Sequence, residues 1–345
     1  MSALGTIRSG AAPRAKALLL GSRFYSVFRR VLPSRGLGIL RYHAVCDPKS
    51  GYADPGICVS PGAFERHVAY LAAHYSVIPL PQAVATLKRG ATLPPNAVAV
   101  TFDDGYADNL GAARVLHRFG VSATFYITAG CLAGEQAFWP AEIRTLIPAV
   151  KTSPLQLMAA GTRVEIPLGD DGERKRAIRM MSQLFKAHSI PVRESLREQL
   201  RRAAGDVPIP ECMLRWEDVA EMVRLGMTIG SHTVTHPNLP NAGEADAWRE
   251  IQDSKARLER ELGAPVTMFS YPNGGAERYM TPAVAGLVKR AGFEAATTSR
   301  NAFAGPGSDL FALERVQVSE RLEDLAFALE VERFALQPQP RTHEI

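Results

Sequence analysis

Residues 97–102, AVAVTF, are apolar at every position but Thr101, and the chain runs from them straight into Asp103, Asp104 and Gly105. A strand with one wet face would alternate apolar and polar residues. A near-continuous apolar run suits a strand covered on both faces, as in a parallel sheet flanked by helices. The rest of the chain agrees with that assignment. LGILRYHAV (37–45), VSATFYITA (121–129), MTIGSH (227–232), VTMFSYPNG (266–274) and FEAATTS (293–299) read as strands. Segments with apolar residues at helical spacing, such as 60–75, 109–120, 213–226, 245–263 and 281–292, lie between them. This alternation specifies a parallel α/β architecture, either an open sheet or a barrel. A helix-coated barrel carries its chemistry at the carboxyl ends of its strands.

Residues 132–213 interrupt the alternation. They hold FWPAEIRTLI, a hairpin pattern around LQLMAAGTRVEIPLG, and a basic helical stretch (173–203) in which nine Lys or Arg face three Glu. The segment reads as an insertion or cap over the barrel mouth, its basic stretch more readily a solvated face than an anion site. Four scattered cysteines form no disulfide framework and no Cys-x-x-Cys pair. No segment approaches the roughly 18 apolar residues of a membrane span.

The formal net charge of +5 is concentrated in residues 8–41 and 174–202. Residues 14–31 read as a basic amphipathic helix, with Leu18, Leu19, Phe24, Val27, Phe28 and Val31 set against Arg23, Arg29 and Arg30. Such a helix suits an anionic membrane face, and equally a packed or frayed leader. The leader lacks the sustained apolar core of a signal peptide, so the expected location is the cytoplasm, peripheral on the inner membrane face. The expected organisation is a leader (1–36), a barrel (37–325) with its insertion, and a tail (326–345). Nucleic-acid binding rests only on the basic stretches, and no nucleic-acid partner is expected.

Two adjacent carboxylates at the end of a buried strand repel each other, and burial adds to the cost. A bound cation offsets both, because it favours the ionised forms. About 130 residues later, IGSHTVTHPNL carries His232 and His236, four apart after a strand and a glycine. Asp104, His232 and His236 make a two-histidine, one-carboxylate set suited to zinc, and also to cobalt, nickel or manganese. Two further strand ends contribute His43, in LRYHAV, and the tight turn of SYPNGG (270–275). Each feature alone has an ordinary reading: paired Asp residues as a turn, His43 as a structural histidine. Their joint occurrence at strand carboxyl ends favours a metal site.

TFDDGYADN, SHTVTH and YPNGG, in that order, resemble the first three motifs of the polysaccharide deacetylases, the NodB-homology group or carbohydrate esterase family 4. The resemblance covers roughly residues 37–131 and 214–320. It implies a distorted (β/α)7-type barrel with a mainly helical insertion, and metal-dependent removal of an acetyl group from an N-acetylated sugar. The acetylated glycan would be a polysaccharide or a lipid-linked precursor. By motif, Asp103 is the general base, Asp104, His232 and His236 hold the metal, and the amide of Asn273 helps bind the oxyanion.

Two departures stand out. The late Leu-x-His motif is absent, with His343 in a polar tail, and the third motif lacks its arginine. RYHAV is similar to the Tyr-His-x-Val strand of a permuted subset, which implies His43 as general acid. Around this frame, Tyr106 and Tyr271 are candidate substrate contacts, with packing the alternative for Tyr106. Trp139 reads as a packing residue or a sugar platform, and Asp108 as a helix cap. Arg315 reads as a salt-bridge partner, or as a group that orients Asp103 or binds substrate. Two other functions stay open on sequence: hydrolysis of a non-sugar cyclic amide on the same barrel, and catalytically idle carbohydrate or membrane binding.

Overall fold

The computed structural model describes residues 13–22, 24–273 and 279–334. Among the described residues ten strands are formed: β1 (Leu37–Tyr42), β2 (Ser76–Val77), β3 (Ala97–Phe102), β4 (Ala123–Ile127), β5 (Leu155–Ala159), β6 (Thr162–Ile166), β7 (Thr228–Ser231), β8 (Met268–Ser270), β9 (Ala295–Thr297) and β10 (Val316–Gln317). All but β5 and β6 join one parallel sheet in the order β10-β1-β3-β4-β7-β8-β9, with β2 beside the start of β3. The sheet curls toward closure. Thr297 of β9 bridges to Leu313, three residues before β10, and β10 pairs with Leu40 and Arg41 of β1.

Burial explains the strand sequences. All six residues of β1, β3 and the core positions of β4 are buried, as a sheet covered on both faces requires. Tyr42, Phe102 and Phe125 stack across three adjacent strands, with ring centroids 5.2 and 4.4 Å apart. The helices pack outside. Helix Pro61–His74 begins at Ser60, whose hydroxyl accepts from the Ala63 amide, with Pro61 in the first turn. It buries Phe64, Val68 and Leu71 against the sheet.

The insertion builds a core of its own. Antiparallel β5–β6 matches the hairpin expected from sequence, and the basic stretch forms two helices, Asp171–Ala187 and Ile190–Ala204. With helix Trp139–Ala149 they enclose Ile143, Leu157, Met181, Phe185 and Leu196.

The chain ends differ from expectation. The single N-terminal helix is two, Pro13–Gly21 and Phe24–Val31, parted where the Ser22 hydroxyl donates to the Leu19 carbonyl. Arg29, assigned to a polar outer face, instead points inward and pairs with buried Glu330 at 2.6 Å. Residues 326–334 are not a tail. Helix Leu322–Glu330 buries Leu325, Phe327 and Leu329 and receives the N-terminal helices, with Lys16 on Asp324 at 2.8 Å. Gly274, Gly275 and His343 lie outside the described residues. Among the described residues no helix is long and apolar enough to cross a membrane.

Candidate active site

A cavity of about 440 Å3 opens over the carboxyl ends of the central strands. Strand β3 delivers Asp103 and Asp104 to its floor. Asp103 continues the ladder, its amide donating to the Tyr42 carbonyl at 3.1 Å. Asp104 then turns away in a left-handed conformation, φ 77°, followed by Gly105 at φ 89°. His236 and Asn273, also in the cavity lining, have φ of 56° and 60°. Non-glycine residues held this way cost free energy and cluster where geometry matters for function.

The two carboxylates have different partners. Asp103 is gripped edge-on by Arg315, whose Nη1 and Nη2 donate to its two oxygens at 2.7 Å each. Arg315 is fully buried and is itself fixed by the Thr298 carbonyl and the Ser270 hydroxyl. Burial pushes the Asp103 carboxyl up, but the guanidinium overrides it and holds the group well below the usual carboxylate range. The arginine missing from the third motif therefore comes from the segment before β10. His43 stands on the other side, its Nε2 3.7 Å from Asp103 Oδ2. Burial lowers the His43 imidazole to about 4, so it is neutral at pH 7.

Asp104 faces both histidines of the second motif. His232 Nε2 and His236 Nε2 lie 3.4 and 3.3 Å from its Oδ1. The ligand atoms of the three residues all fall within 4.8 Å of one another. His232 Nδ1 sits 2.7 Å from the Ser270 carbonyl, which only accepts, so Nδ1 carries the proton. A neutral His232 therefore turns the Nε2 lone pair toward a carboxylate oxygen, acceptor against acceptor. A cation resolves that opposition, and the residues fit one. Burial pushes the Asp104 carboxyl up, whereas imidazoles that donate to it, in their protonated forms, would hold it well below its ordinary range.

Residues overlooked in the sequence buttress this set. Glu250, on helix Glu244–Leu262, accepts from the amides of Val234 and Thr235 at 2.8 Å and fixes the loop between the histidines. Arg193 of the insertion donates to the Thr235 hydroxyl and carbonyl at 2.8 and 3.2 Å. Gly130 lies under the same loop, and a Cβ there would meet the Val234 carbonyl at 2.7 Å. Glu250 and Arg193 occupy buried positions in line with Ile251 and Leu258 and with Leu196 and Leu200, the signal that could have exposed them.

The remaining candidates divide. Tyr106 is buried yet borders the cavity, edge-on to Phe138 at 5.6 Å. Trp139 borders it too, its indole N–H donating to the His236 carbonyl at 3.0 Å, which makes it a brace for that loop. Asn273 lines the wall. Tyr271 does not. Its ring packs on Phe269, and its hydroxyl donates to the Phe311 carbonyl. Asp108 stands at a helix start without capping it, because its carboxylate takes the Val45 amide, the Tyr52 hydroxyl and the Asn109 side-chain amide. A second groove of about 460 Å3, between residues 31–36 and Phe303, has no carboxylate or imidazole in its lining and so lacks hydrolytic groups.

A family model described as polysaccharide deacetylase matches residues 90–296, which span the carboxylate pair and both histidines. The chain belongs to the polysaccharide deacetylase family. Among relatives of this deacetylase-family chain, the putative polysaccharide deacetylase YxkH of Bacillus subtilis is 28% identical over 116 residues, 34% of this chain. That alignment spans 40% of YxkH, less than half of the relative's length. In structure, the chain is similar to the Streptococcus pyogenes deacetylase PplD, solved in complex with acetate, with a TM-score of 0.57 at 18% identity over 86% of this chain and 99% of that one. It is similar also to IcaB from Ammonifex degensii, with a TM-score of 0.56 at 20% identity over 87% and 99%. The likeness establishes the fold: the curled parallel sheet with its helices is the barrel of this family.

Proposed function

We propose that this protein hydrolyses the acetamido C–N bond of an N-acetylated glycan, releasing acetate and a free amine. The observation that carries this reading is the opposed Asp104–His232–His236 set beside a separately clamped carboxylate. Asp104, His232 and His236 would hold a divalent cation, zinc being the best match to two imidazoles and one carboxylate, with cobalt, nickel and manganese able to take its place. When bound, such an ion lowers the pKa of a water and polarises an acetyl oxygen.

The other residues handle protons and charge. Asp103, kept ionised by Arg315, accepts the proton of the attacking water. Its low affinity for that proton makes it a transient holder, with His43 next in line 3.7 Å away. His43 starts neutral, so it must receive a proton before it can give one to the departing nitrogen. The Asn273 amide is the candidate donor to the developing oxyanion. Hydroxide equivalent goes to the acetyl carbon, the C–N bond breaks, and the proton goes to nitrogen.

The membrane contact belongs to the same reading. Leu18, Phe24, Val27 and Val31 on the two N-terminal helices are exposed, 47–75% each, within a basic segment. These exposures are what supports a peripheral seat on an anionic membrane face. The function is tested by mass-spectrometric detection of acetate loss across acetylated oligosaccharides and lipid-linked precursors, with and without chelator. Acetate release that stops with chelator and returns with added zinc or cobalt is expected. Release that persists fully in chelator, or none from any substrate, contradicts the proposal.

A further inference from the structure

The charges lining the cavity do not cancel. Asp103 is matched by Arg315 from beneath the floor, and Asp54 at the rim by Arg144. What then faces the space is Asp104 on the acidic side, against Arg41 and Arg179 on the basic side.

Arg41 is the more telling cation. It belongs to β1, two residues before His43, and only 9% of it is exposed. Its Nη2 donates to the Gln317 side chain, while its Nε has no hydrogen-bond partner. A buried guanidinium with an unpaired N–H is a costly arrangement, and the charge it leaves uncompensated favours an anion beside the rest of the group. Burial, with the charge of Arg315 adding to it and the carboxylates of Asp103 and Asp104 opposing it, lowers the Arg41 guanidinium to about 10, still charged at pH 7.

Arg179, on the insertion helix Asp171–Ala187, lines the same cavity. Its neighbours are engaged: Arg174 on the carbonyls of Ile147 and Val150, Arg176 on Glu173. Among the described residues, Arg179 has no carboxylate partner. One buried arginine from the barrel and one uncommitted arginine from the insertion thus border the same cavity as the hydrolytic floor. Guanidinium groups favour phosphate and carboxylate oxygens, which they can bind through two parallel N–H donors.

We infer that the substrate is an acidic acetamido sugar, its phosphate or carboxylate held by Arg41 and Arg179 while the acetamido group meets the Asp103–Asp104 floor. This inference rests on the deacetylase reading and names the substrate class within it. The insertion then has a role in selection, because it supplies one of the two arginines.

The test uses the full chain with zinc and three probes: N-acetylglucosamine 1-phosphate, N-acetylmuramic acid and uncharged N-acetylglucosamine oligomers. Acetate release and calorimetric binding are both measured. One acidic probe should exceed the neutral one by about tenfold or more in kcat/KM, and which one does so separates phosphate from carboxylate. Added salt should erode that preference. Arg179→Glu should remove it through KM, with kcat changed less than about twofold. Arg176→Glu, on the paired outer side, should not touch it. A neutral probe hydrolysed as well as either acidic one, or an acidic preference that survives Arg179→Glu, overturns the inference and leaves the deacetylase reading standing. Binding of an acidic probe that depends on Arg179, without acetate release from any probe, overturns the deacetylase reading and the substrate assignment with it, and leaves only an anion site at Arg179.

Discussion

The floor of the cavity and the insertion beside it both bury carboxylates, with opposite results. In the insertion, Glu142 is 1% exposed and is shared between Arg197, at 2.7 Å, and Arg201. Acid and bases close on one another and leave nothing to bind. On the floor, Asp103 is closed in the same way by Arg315, but its neighbour Asp104 meets two imidazoles, one of which in its neutral form turns only a lone pair toward it. A satisfied ion pair supports a fold, and an unsatisfied one beside it marks where a ligand belongs. The backbone shows the same contrast: Asp104, Thr233, His236 and Asn273 have positive φ, whereas the insertion helix carrying Glu142 is regular.

Three substitutions probe that contrast. The largest effect should come from Arg315→Gln, which leaves Asp103 buried without its counter-charge. Breaking a buried pair in this way costs about 3–5 kcal/mol, measured by denaturant unfolding. The acid limb of the pH–activity profile should also move upward, because the guanidinium no longer offsets the burial that raises the Asp103 carboxyl. Glu250→Gln comes next. It weakens the support of the histidine loop and should lower metal affinity about 10–100-fold, with a stability loss of about 1–3 kcal/mol. Competition with a chromophoric chelator reads the first quantity. Arg201→Ala should have the smallest effect, about 1 kcal/mol or less, because Arg201 is 47% exposed and Arg197 still covers Glu142. Acetate release should be unchanged. A large loss of activity there would dissolve the distinction between closed and open charge.

What the sequence disclosed follows from range. Asp103, Asp104, His232 and His236 stand in compact runs at strand ends, so pattern and chemistry coincide within a few residues. The β5–β6 hairpin was legible because Leu155, Leu157 and Ala159 alternate inward. Arg315 was visible as a candidate, but its pairing to Asp103 spans 212 residues and exists only because the sheet curls around to β10. Glu250 and Arg193 were missed because a polar residue on a helix does not declare which way it faces. Tyr271 was misjudged for the same reason in a strand end, where one position separates the cavity side from the Phe311 side. The N-terminal segment broke expectation through a partner outside its own sequence: Glu330 draws Arg29 inward and leaves Val27 and Val31 outside.

The central claim is that two adjacent carboxylates divide the work, Asp104 for the metal and Asp103 for the proton. It is tested most directly by measuring bound metal and acetate release on one preparation of Asp103→Asn. The account predicts metal at the wild-type stoichiometry with turnover lowered about 10²–10⁴-fold. Loss of the metal with Asp103→Asn, or turnover at the wild-type rate, would contradict it.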